Sequence, residues 1–251
     1  MLKIINHGNV REIRLARPPV NAINLKFAKR LTQAIREAMD ECSAVVISGR
    51  EGLFSAGLDV VELMQLDRDG MHEFWSAFFE LLETVACSTI PVAAAVTGHS
   101  PAGGAVICLV CDYRVMSSGE YRIGLNETRV GLIIPPVLHN AMARLIGPRI
   151  AEQMLVAGTL VDSQEAFKIG FVDALETDYE TTISHAIEWC EGLLALPQHS
   201  MLGNRAVARE HFKHEFAAHT NDSINSFVDT WFSDETQAVM NALIAQLKAK
   251  K

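Results

Sequence analysis

The chain has 251 residues, of which 49% are hydrophobic and 21% are charged, and its formal net charge is −8. This length and composition are typical of one large globular domain or two modest ones, and they exclude a disordered or fibrous protein. Anionic partners require clustered cations, and the acidic chain has no dense basic run, so we expect neither a nucleic-acid nor a membrane partner. No apolar run approaches the roughly 20 residues of a membrane span. No targeting segment is recognised, so we expect a cytoplasmic protein.

The first half of the chain alternates predicted strands and helices. Short apolar runs predict a hairpin within residues 4–15, and apolar periodicity predicts a helix over Leu25–Cys42. Ala44–Ser48 and Pro91–Val96 are continuous apolar runs, typical of strands that are buried in a parallel sheet. An amphipathic helix is predicted between them, over Met71–Val85. This alternation predicts an α/β fold with a parallel sheet.

The pattern changes after Pro135, where it becomes helical and holds too few strand signals for a second sheet domain. Breaks in the helical pattern are expected near 219–222 and 233–234. We therefore expect an α/β core over residues 1–195 and a helical C-terminal region over residues 196–251. The second region is either part of the same domain or a lid or trimerisation segment.

Two glycine-containing turns follow the two buried strands, at Phe54–Asp59 and Gly98–Gly104. Ligands of open α/β sheets bind beyond the carboxyl ends of the strands, so each turn is placed to direct a backbone N–H into one crevice. Two such donors would form an oxyanion hole, which stabilises negative charge on a carbonyl oxygen. The alternative is that the glycines only permit tight turns.

Three other chemistries lack support in the sequence. Gly98–Gly103 looks like the nucleophile elbow of serine hydrolases, but its second glycine comes one residue late and Pro101, after Ser100, has no N–H to donate. Cys108 and Cys111 form a lone CxxC with no second ligand pair, so we interpret them as reduced, buried thiols and expect no metal site. No G-x-G-x-x-G or P-loop motif indicates a nucleotide cofactor.

A set of motifs extends in order over about residues 1–200: Pro19–Asn24, Phe54–Asp59, Pro91–Gly104, Cys111–Arg114 and Ala166–Asp173. Together they resemble the crotonase (enoyl-CoA hydratase/isomerase) superfamily. The resemblance implies a spiral of ββα repeats and an acyl-CoA substrate, with no cofactor beyond the coenzyme A of that substrate. It also implies a homotrimer, or a dimer of trimers, packed partly by the C-terminal helices.

The resemblance implies catalytic roles for three positions. The backbone N–H groups of Leu58 and Gly103 would bind the thioester oxygen. Ile123–Gly131 resembles the mitochondrial-type Δ3,Δ2-enoyl-CoA isomerases, which would make Glu127 the proton-transferring acid. Hydratases of the superfamily carry a further glutamate at the position of Val106, so hydration is less expected here. The alternative role for Glu127 is that of a capping or salt-bridging surface residue.

Further positions are implied to cradle the substrate: Asn21, Ala22, Ser55, Ala56, Gly57, Asp59, Gly104 and Asn126. One carboxylate suffices to move a double bond from C3=C4 to C2=C3, because it can take a proton from C2 and return it to C4. We therefore expect an enoyl-CoA isomerase of fatty acid β-oxidation. The alternatives are an enoyl-CoA hydratase, another reaction of the superfamily, and a non-catalytic acyl-CoA-binding protein. Pro136–Leu138 departs from the isomerase pattern next to the expected acyl tunnel, so the sequence leaves the acyl length open.

The last helices carry more large apolar side chains than one helix usually buries within its own domain. We expect part of this set to face another subunit. The alternative is that the whole set packs within one subunit. Its members are Phe227, Val228, Trp231, Phe232, Met240, Leu243 and Leu247.

Overall fold

The computed structural model describes residues 1–218 and 221–249, which form two β-sheets flanked by helices. The strands are β1 (Leu2–His7), β2 (Val10–Leu15), β3 (Ala44–Ser48), β4 (Gly52–Leu53), β5 (Val92–Val96), β6 (Gly98–Pro101), β7 (Tyr113–Ser117), β8 (Arg122–Gly124), β9 (Val161–Asp162) and β10 (Ala174–Glu176). The helices of the core are α1 (Leu25–Glu41), α2 (Val60–Leu63), α3 (Arg68–Ala86), α4 (Gly103–Leu109), a 3₁₀ helix (Glu127–Val130), α5 (Pro136–Ile146), α6 (Pro148–Ala157), α7 (Ser163–Lys168) and α8 (Tyr179–Leu194). The C-terminal helices are α9 (Gln198–Ala208), α10 (Glu210–Ala217), α11 (Asn221–Trp231) and α12 (Asp234–Ala249).

The larger sheet has six strands in the order β1-β2-β3-β5-β7-β10. β1 and β2 form the antiparallel hairpin that the sequence predicts, and every other pair is parallel. All residues of β3 and β5 are buried, as continuous apolar runs in a parallel sheet should be. The predicted parallel α/β fold is therefore confirmed.

The smaller sheet has four short strands in the order β4-β6-β8-β9. After each of β3, β5 and β7 the chain crosses directly into the smaller sheet, as β4, β6 and β8, and then continues into helical structure. This is the expected series of ββα repeats. It places the segments after β4, β6 and β8 at one edge of a shared sheet.

Two local predictions were wrong. A turn was expected at Gly98–Gly104, but its first part, Gly98–Pro101, is strand β6, which pairs with both β4 and β8. The region after Pro135 read as helical, yet it supplies β9 and β10 to the edges of the two sheets. These strands have only two to four residues, too few to show an alternating pattern.

The helices begin where the sequence offers a capping side chain. Asn24 caps α1 by accepting a hydrogen bond from the Phe27 amide at 2.8 Å, and Asp67 caps α3 by accepting one from the Gly70 amide at 2.9 Å. α1 and α3 then pack against each other through a continuous apolar core. α3 thus places one row of aromatic side chains against the C-terminal helices.

The C-terminal apolar residues pack mainly within the chain. Phe227, Val228, Trp231 and Met240 are all less than 10% exposed, whereas Leu247 is 45% exposed. The expected break near 233–234 lies between α11 and α12, while that near 219–222 includes residues 219–220, which lie outside the described residues. Among the helices that the structure describes, none is long and apolar enough to cross a membrane.

Candidate active site

Two backbone loops meet beyond the paired strands β4 and β6. The first loop turns at Gly57, whose φ is +85°, and a Cβ atom there would lie 3.1 Å from the carbonyl oxygen of Pro101 and 3.3 Å from the amide nitrogen of Gly103. A Cβ atom on Gly103 would in turn lie 3.2 Å from Cδ2 of Leu58. Glycine tolerates both the positive φ and the close approach. These two glycines therefore bring the Leu58 and Gly103 backbones side by side.

The amide N–H groups of Leu58 and Gly103 donate to no other group within the described chain. Gly103 is the first residue of α4, where an N–H has no partner inside the helix. The residues on either side of Leu58 hydrogen bond to the Ile23 backbone at 2.8 and 2.9 Å, which fixes that loop. Ala102, just before α4, has φ +48° and ψ −125°, a strained conformation for a residue other than glycine. Both amides are thus fixed in position and available to a ligand.

Glu127 lines the same cavity as Leu58 and Gly103. It begins the 3₁₀ helix after β8, and its carbonyl oxygen accepts a 3.0 Å hydrogen bond from the Leu132 amide, which holds this turn in place. The carboxyl Oε2 atom is buried and has no hydrogen-bond partner among the described residues. Burial raises the pKa of Glu127 from its ordinary 4.5 to about 7. A salt-bridging surface role is not supported, because the described chain offers this carboxyl no cation.

The cavity around Glu127 is small and apolar. Its volume is about 30 Å³. Among its lining residues in the described chain, Glu127 is the only one with an ionisable side chain, and Val106 stands among the apolar ones. The other lining side chains are Leu58, Trp75, Phe78, Phe79, Leu132, Ile133, Ile134, Pro135, Leu138 and Phe227. A proton donor and acceptor therefore lies in surroundings that favour its neutral form.

Sequence reasoning did not assign the aromatic part of this lining to the site. Trp75, Phe78 and Phe79 come from α3, and Phe227 comes from α11, about 150 residues later in the chain. The periodicity of α3 indicates that its aromatic side chains are buried, but it carries no information about which helix covers them. This aromatic lining of the cavity results from long-range packing between α3 and α11.

Asn21 and Ser55 were implied as substrate-binding residues, and the structure buries both side chains. The Ser55 hydroxyl donates to the Asn21 carbonyl at 2.8 Å and accepts from the Gly57 amide at 3.1 Å. The Asn21 side chain donates to the Phe54 carbonyl at 2.9 Å. These side chains hold the Leu58 loop from behind rather than facing the cavity.

Three further expected residues lie around the same loop. Ala22 is buried and Ala56 is exposed, and the Ala56 amide donates to the loop that contains Asn21, at the Val20 carbonyl. The Asp59 carboxylate lies 2.7 Å from the Arg17 guanidinium and also caps α2. The side chain of Asp59 is thus occupied by contacts within the protein.

Gly104 and Asn126 are next to catalytic candidates in sequence but do not line the cavity. A Cβ atom on Gly104 would lie 2.9 Å from Ser100 Oγ and 3.0 Å from the Ser55 carbonyl oxygen, so this glycine permits close packing of α4. The Asn126 Oδ1 atom is buried and has no hydrogen-bond partner within the described chain.

No group of three or more His, Cys, Asp or Glu residues able to hold a metal ion occurs among the described residues. Cys108 and Cys111 are free, buried thiols. Burial raises the pKa of Cys108 to about 12 and also raises that of Cys111, so neither is a reactive thiolate at neutral pH.

Comparison with known proteins identifies the family to which this arrangement belongs. The family model described as enoyl-CoA hydratase/isomerase matches residues 6–250. The human mitochondrial enoyl-CoA delta isomerase 1 is 30% identical over 251 residues, covering 97% of this chain and 82% of the relative. A probable enoyl-CoA hydratase of Mycobacterium tuberculosis is 28% identical over 194 residues, covering 76% of this chain and 74% of the relative.

The crystal structure of human mitochondrial delta3-delta2-enoyl-CoA isomerase superimposes with a TM-score of 0.94 at 28% identity, over 100% of this chain and 99% of the human one. The human relative and the human crystal structure are both named as mitochondrial, in contrast to the cytoplasmic location that we expect from the sequence. The match of the family model along nearly the whole chain and the shared fold give one conclusion. This protein belongs to the enoyl-CoA hydratase/isomerase family.

Proposed function

We propose that this protein is a Δ3,Δ2-enoyl-CoA isomerase, which converts 3-enoyl-CoA to trans-2-enoyl-CoA in the β-oxidation of unsaturated fatty acids. The observation that carries the proposal is that Glu127 lines one apolar cavity together with Leu58 and Gly103. Its carboxyl Oε2 atom and the two backbone amides have no hydrogen-bond partner within the described chain. No cofactor is needed for this reaction, because coenzyme A arrives as part of the substrate.

In the proposed mechanism the Glu127 carboxylate removes a proton from C2 of the acyl chain and returns it to C4. A carboxyl whose pKa is about 7 is suited to both steps, since it is a stronger base than an ordinary carboxylate and remains an effective acid near neutral pH. The apolar lining supports this role, because it keeps bulk water from exchanging the proton that Glu127 holds.

The intermediate is a dienolate, whose negative charge rests mainly on the thioester oxygen. The amides of Leu58 and Gly103 are proposed to donate hydrogen bonds to this oxygen. Removal of one such donor typically raises the barrier by about 3–4 kcal/mol. The helix dipole at the start of α4 adds to this stabilisation at Gly103.

Isomerisation is favoured over hydration by the surroundings of Glu127. Hydration requires a bound, activated water and usually a second carboxylate. Here Val106, which is 2% exposed, stands where the hydratases carry that acid, and the other ten lining side chains are apolar. The relatives include a probable hydratase as well as isomerases, so this distinction depends on the site rather than on the family.

A non-catalytic acyl-CoA-binding role accounts poorly for Glu127. A buried carboxyl oxygen without a hydrogen-bond partner is destabilising, and a binding protein would gain stability from an apolar residue at the same position. The group has a clear use only if it exchanges protons with a ligand.

Other features of the family enter as part of the same proposal. The loops at Asn21–Ala22 and Ser55–Asp59, together with Gly104 and Asn126, are proposed to shape the site for the coenzyme A and acyl portions of the substrate. The protein is proposed to assemble as a homotrimer or a dimer of trimers. Its cytoplasmic location stays a prediction.

The proposal is tested by assaying the purified protein with 3-hexenoyl-CoA, trans-2-hexenoyl-CoA and hexanoyl-CoA. We expect the double-bond shift of the first to be much faster than hydration of the second or hydrolysis of the third. Faster hydration would favour the hydratase alternative. Tight binding of all three without turnover would favour the non-catalytic one.

A further inference from the structure

The cavity that contains Glu127 is separated from an outer groove by a thin wall. The cavity has a volume of about 30 Å³ and the groove about 390 Å³. A cavity this much smaller than the groove limits the length of the acyl chain that can lie within it. Four residues line both spaces and therefore form the wall: Ile133, Ile134, Pro135 and Phe227.

One side of the wall is a loop that is fixed at both ends. The Thr236 hydroxyl on α12 donates a 2.7 Å hydrogen bond to the carbonyl oxygen of Gly131, and Thr236 is only 1% exposed. At the other end, the Pro135 carbonyl accepts a 3.0 Å hydrogen bond from the Leu138 amide, at the start of α5. The loop is therefore poorly placed to swing aside for a ligand.

The other side of the wall is the ring of Phe227 on α11. Its centroid lies 5.5 Å from the ring of Trp75 and 5.5 Å from that of Phe79, both on α3. Phe227 itself is 9% exposed. These packing contacts hold the ring across the space between the cavity and the groove.

We propose that Phe227 is a specificity-determining residue, whose ring closes the distal end of the acyl pocket and restricts the enzyme to short acyl chains. This inference rests on the proposed function, in that the cavity beside Glu127 is taken as the acyl pocket. Without the ring, the cavity and the groove become continuous past the fixed loop. A longer acyl chain then extends along the apolar side chains of Ile133 and Ile134.

The test compares wild-type protein with Phe227→Ala and the milder Phe227→Leu. Turnover is measured as kcat/KM with 3-hexenoyl-CoA, 3-decenoyl-CoA and 3-hexadecenoyl-CoA, and binding by calorimetry with the saturated hexanoyl, decanoyl and hexadecanoyl thioesters. One methylene that a pocket cannot hold typically lowers kcat/KM at least about tenfold. We therefore expect the kcat/KM of wild type to be at least about tenfold lower with 3-decenoyl-CoA than with 3-hexenoyl-CoA. In Phe227→Ala the two values of kcat/KM should be nearly equal.

Val228→Ala is the matched control. Val228 lies on the same helix, is 4% exposed and lines neither the cavity nor the groove, so it reports the effect of loosening α11 alone. Its chain-length profile is expected to match that of wild type. Circular dichroism verifies that each variant is folded. If Phe227→Ala does not fold, Phe227→Leu is used in its place.

Three outcomes overturn the proposal: equal binding and turnover of short and long chains by wild type, an unchanged length profile in folded Phe227 variants, or the same shift in Val228→Ala. The two proposals can fail separately. If no 3-enoyl-CoA is isomerised but the Phe227 variants still gain affinity for the decanoyl and hexadecanoyl thioesters, the isomerase assignment is wrong, whereas the role of Phe227 in limiting chain length is supported. Absence of binding to every acyl-CoA overturns both.

Discussion

Val106 and Glu127 line one cavity from two successive ββα repeats, Val106 from the first turn of α4 and Glu127 from the 3₁₀ helix after β8. Substitution of Val106 by glutamate therefore introduces a second carboxyl beside the first. We expect Val106→Glu to hydrate trans-2-hexenoyl-CoA at a measurable rate, because two carboxyl groups can position and activate a water.

Val106→Gln is the matched control, since it adds a side chain of the same size that cannot exchange a proton. It should show no hydration above wild type. Equal hydration by the two variants would mean that space for water, rather than a second acid, is the missing element.

Glu127→Gln is expected to lower isomerase kcat by about 10²–10⁴-fold, towards the upper end, because one group serves both proton transfers. Affinity for hexanoyl-CoA should change little, since the proposed oxyanion donors are backbone groups of other residues. Kinetics with 3-hexenoyl-CoA and calorimetry with hexanoyl-CoA measure the two quantities. Retention of more than about a tenth of the wild-type rate would assign the proton transfer to another residue.

The rate should depend on pH through the pKa of Glu127. Removal of the C2 proton requires the carboxylate, so kcat/KM is expected to rise with pH, with a midpoint near the pKa of about 7, and to level off above it. A profile already level at pH 5 would place the proton-accepting group at an ordinary, exposed carboxylate.

The same carboxyl links pH to stability. Its pKa is about 7 in the folded protein and 4.5 when it is free in water, so between these values the folded state binds one more proton than the unfolded state. Stability attributable to Glu127 therefore falls as pH rises from 4.5 to about 7 and stays lower above that, by about 3 kcal/mol. We expect Glu127→Gln to be more stable than wild type in urea at pH 8, with the difference vanishing near pH 4.5. Equal stability at both pH values would contradict the burial of the charge.

The proposed trimer makes a simple prediction about mass. Light scattering at micromolar protein should give a multiple of three times the 27.6 kDa chain. Phe227, Val228, Trp231 and Met240 are already buried within one chain, so a subunit contact made by the C-terminal apolar set would use its exposed members, such as Leu247. A mass of one chain would refute the trimer.

The repeating α/β fold was predictable from the sequence because its main strands are continuous apolar runs and its long helices are strongly periodic. α1 begins at the predicted Leu25 and ends within one residue of the predicted boundary. The smaller sheet was missed, because a strand of two to four residues such as Gly98–Pro101 is defined by its neighbours and not by its own side chains.

The candidate site divides in a similar way. The structure brings Leu58, Gly103 and Glu127 to one cavity, as expected for segments that follow neighbouring strands of one sheet. The closure of that cavity by Phe227 was not predictable, since it depends on how α11 lies on α3. Asn21 and Ser55 were recognised through their motifs, but only the hydrogen bonds reveal that their side chains brace a loop.

The three candidate catalytic positions each come from a different repeat: Leu58 follows β4, Gly103 follows β6 and Glu127 follows β8. A substitution in the repeat of Glu127 can therefore alter the proposed proton transfer, while the proposed thioester-binding site made by the other two repeats stays as it is. Under the proposed mechanism, a single mutation can thus change the reaction without removing the groups that bind the substrate. Val106 shows that the two properties can also be separate within one repeat, because this apolar side chain lies on α4 together with Gly103, whose amide is unpaired within the described chain.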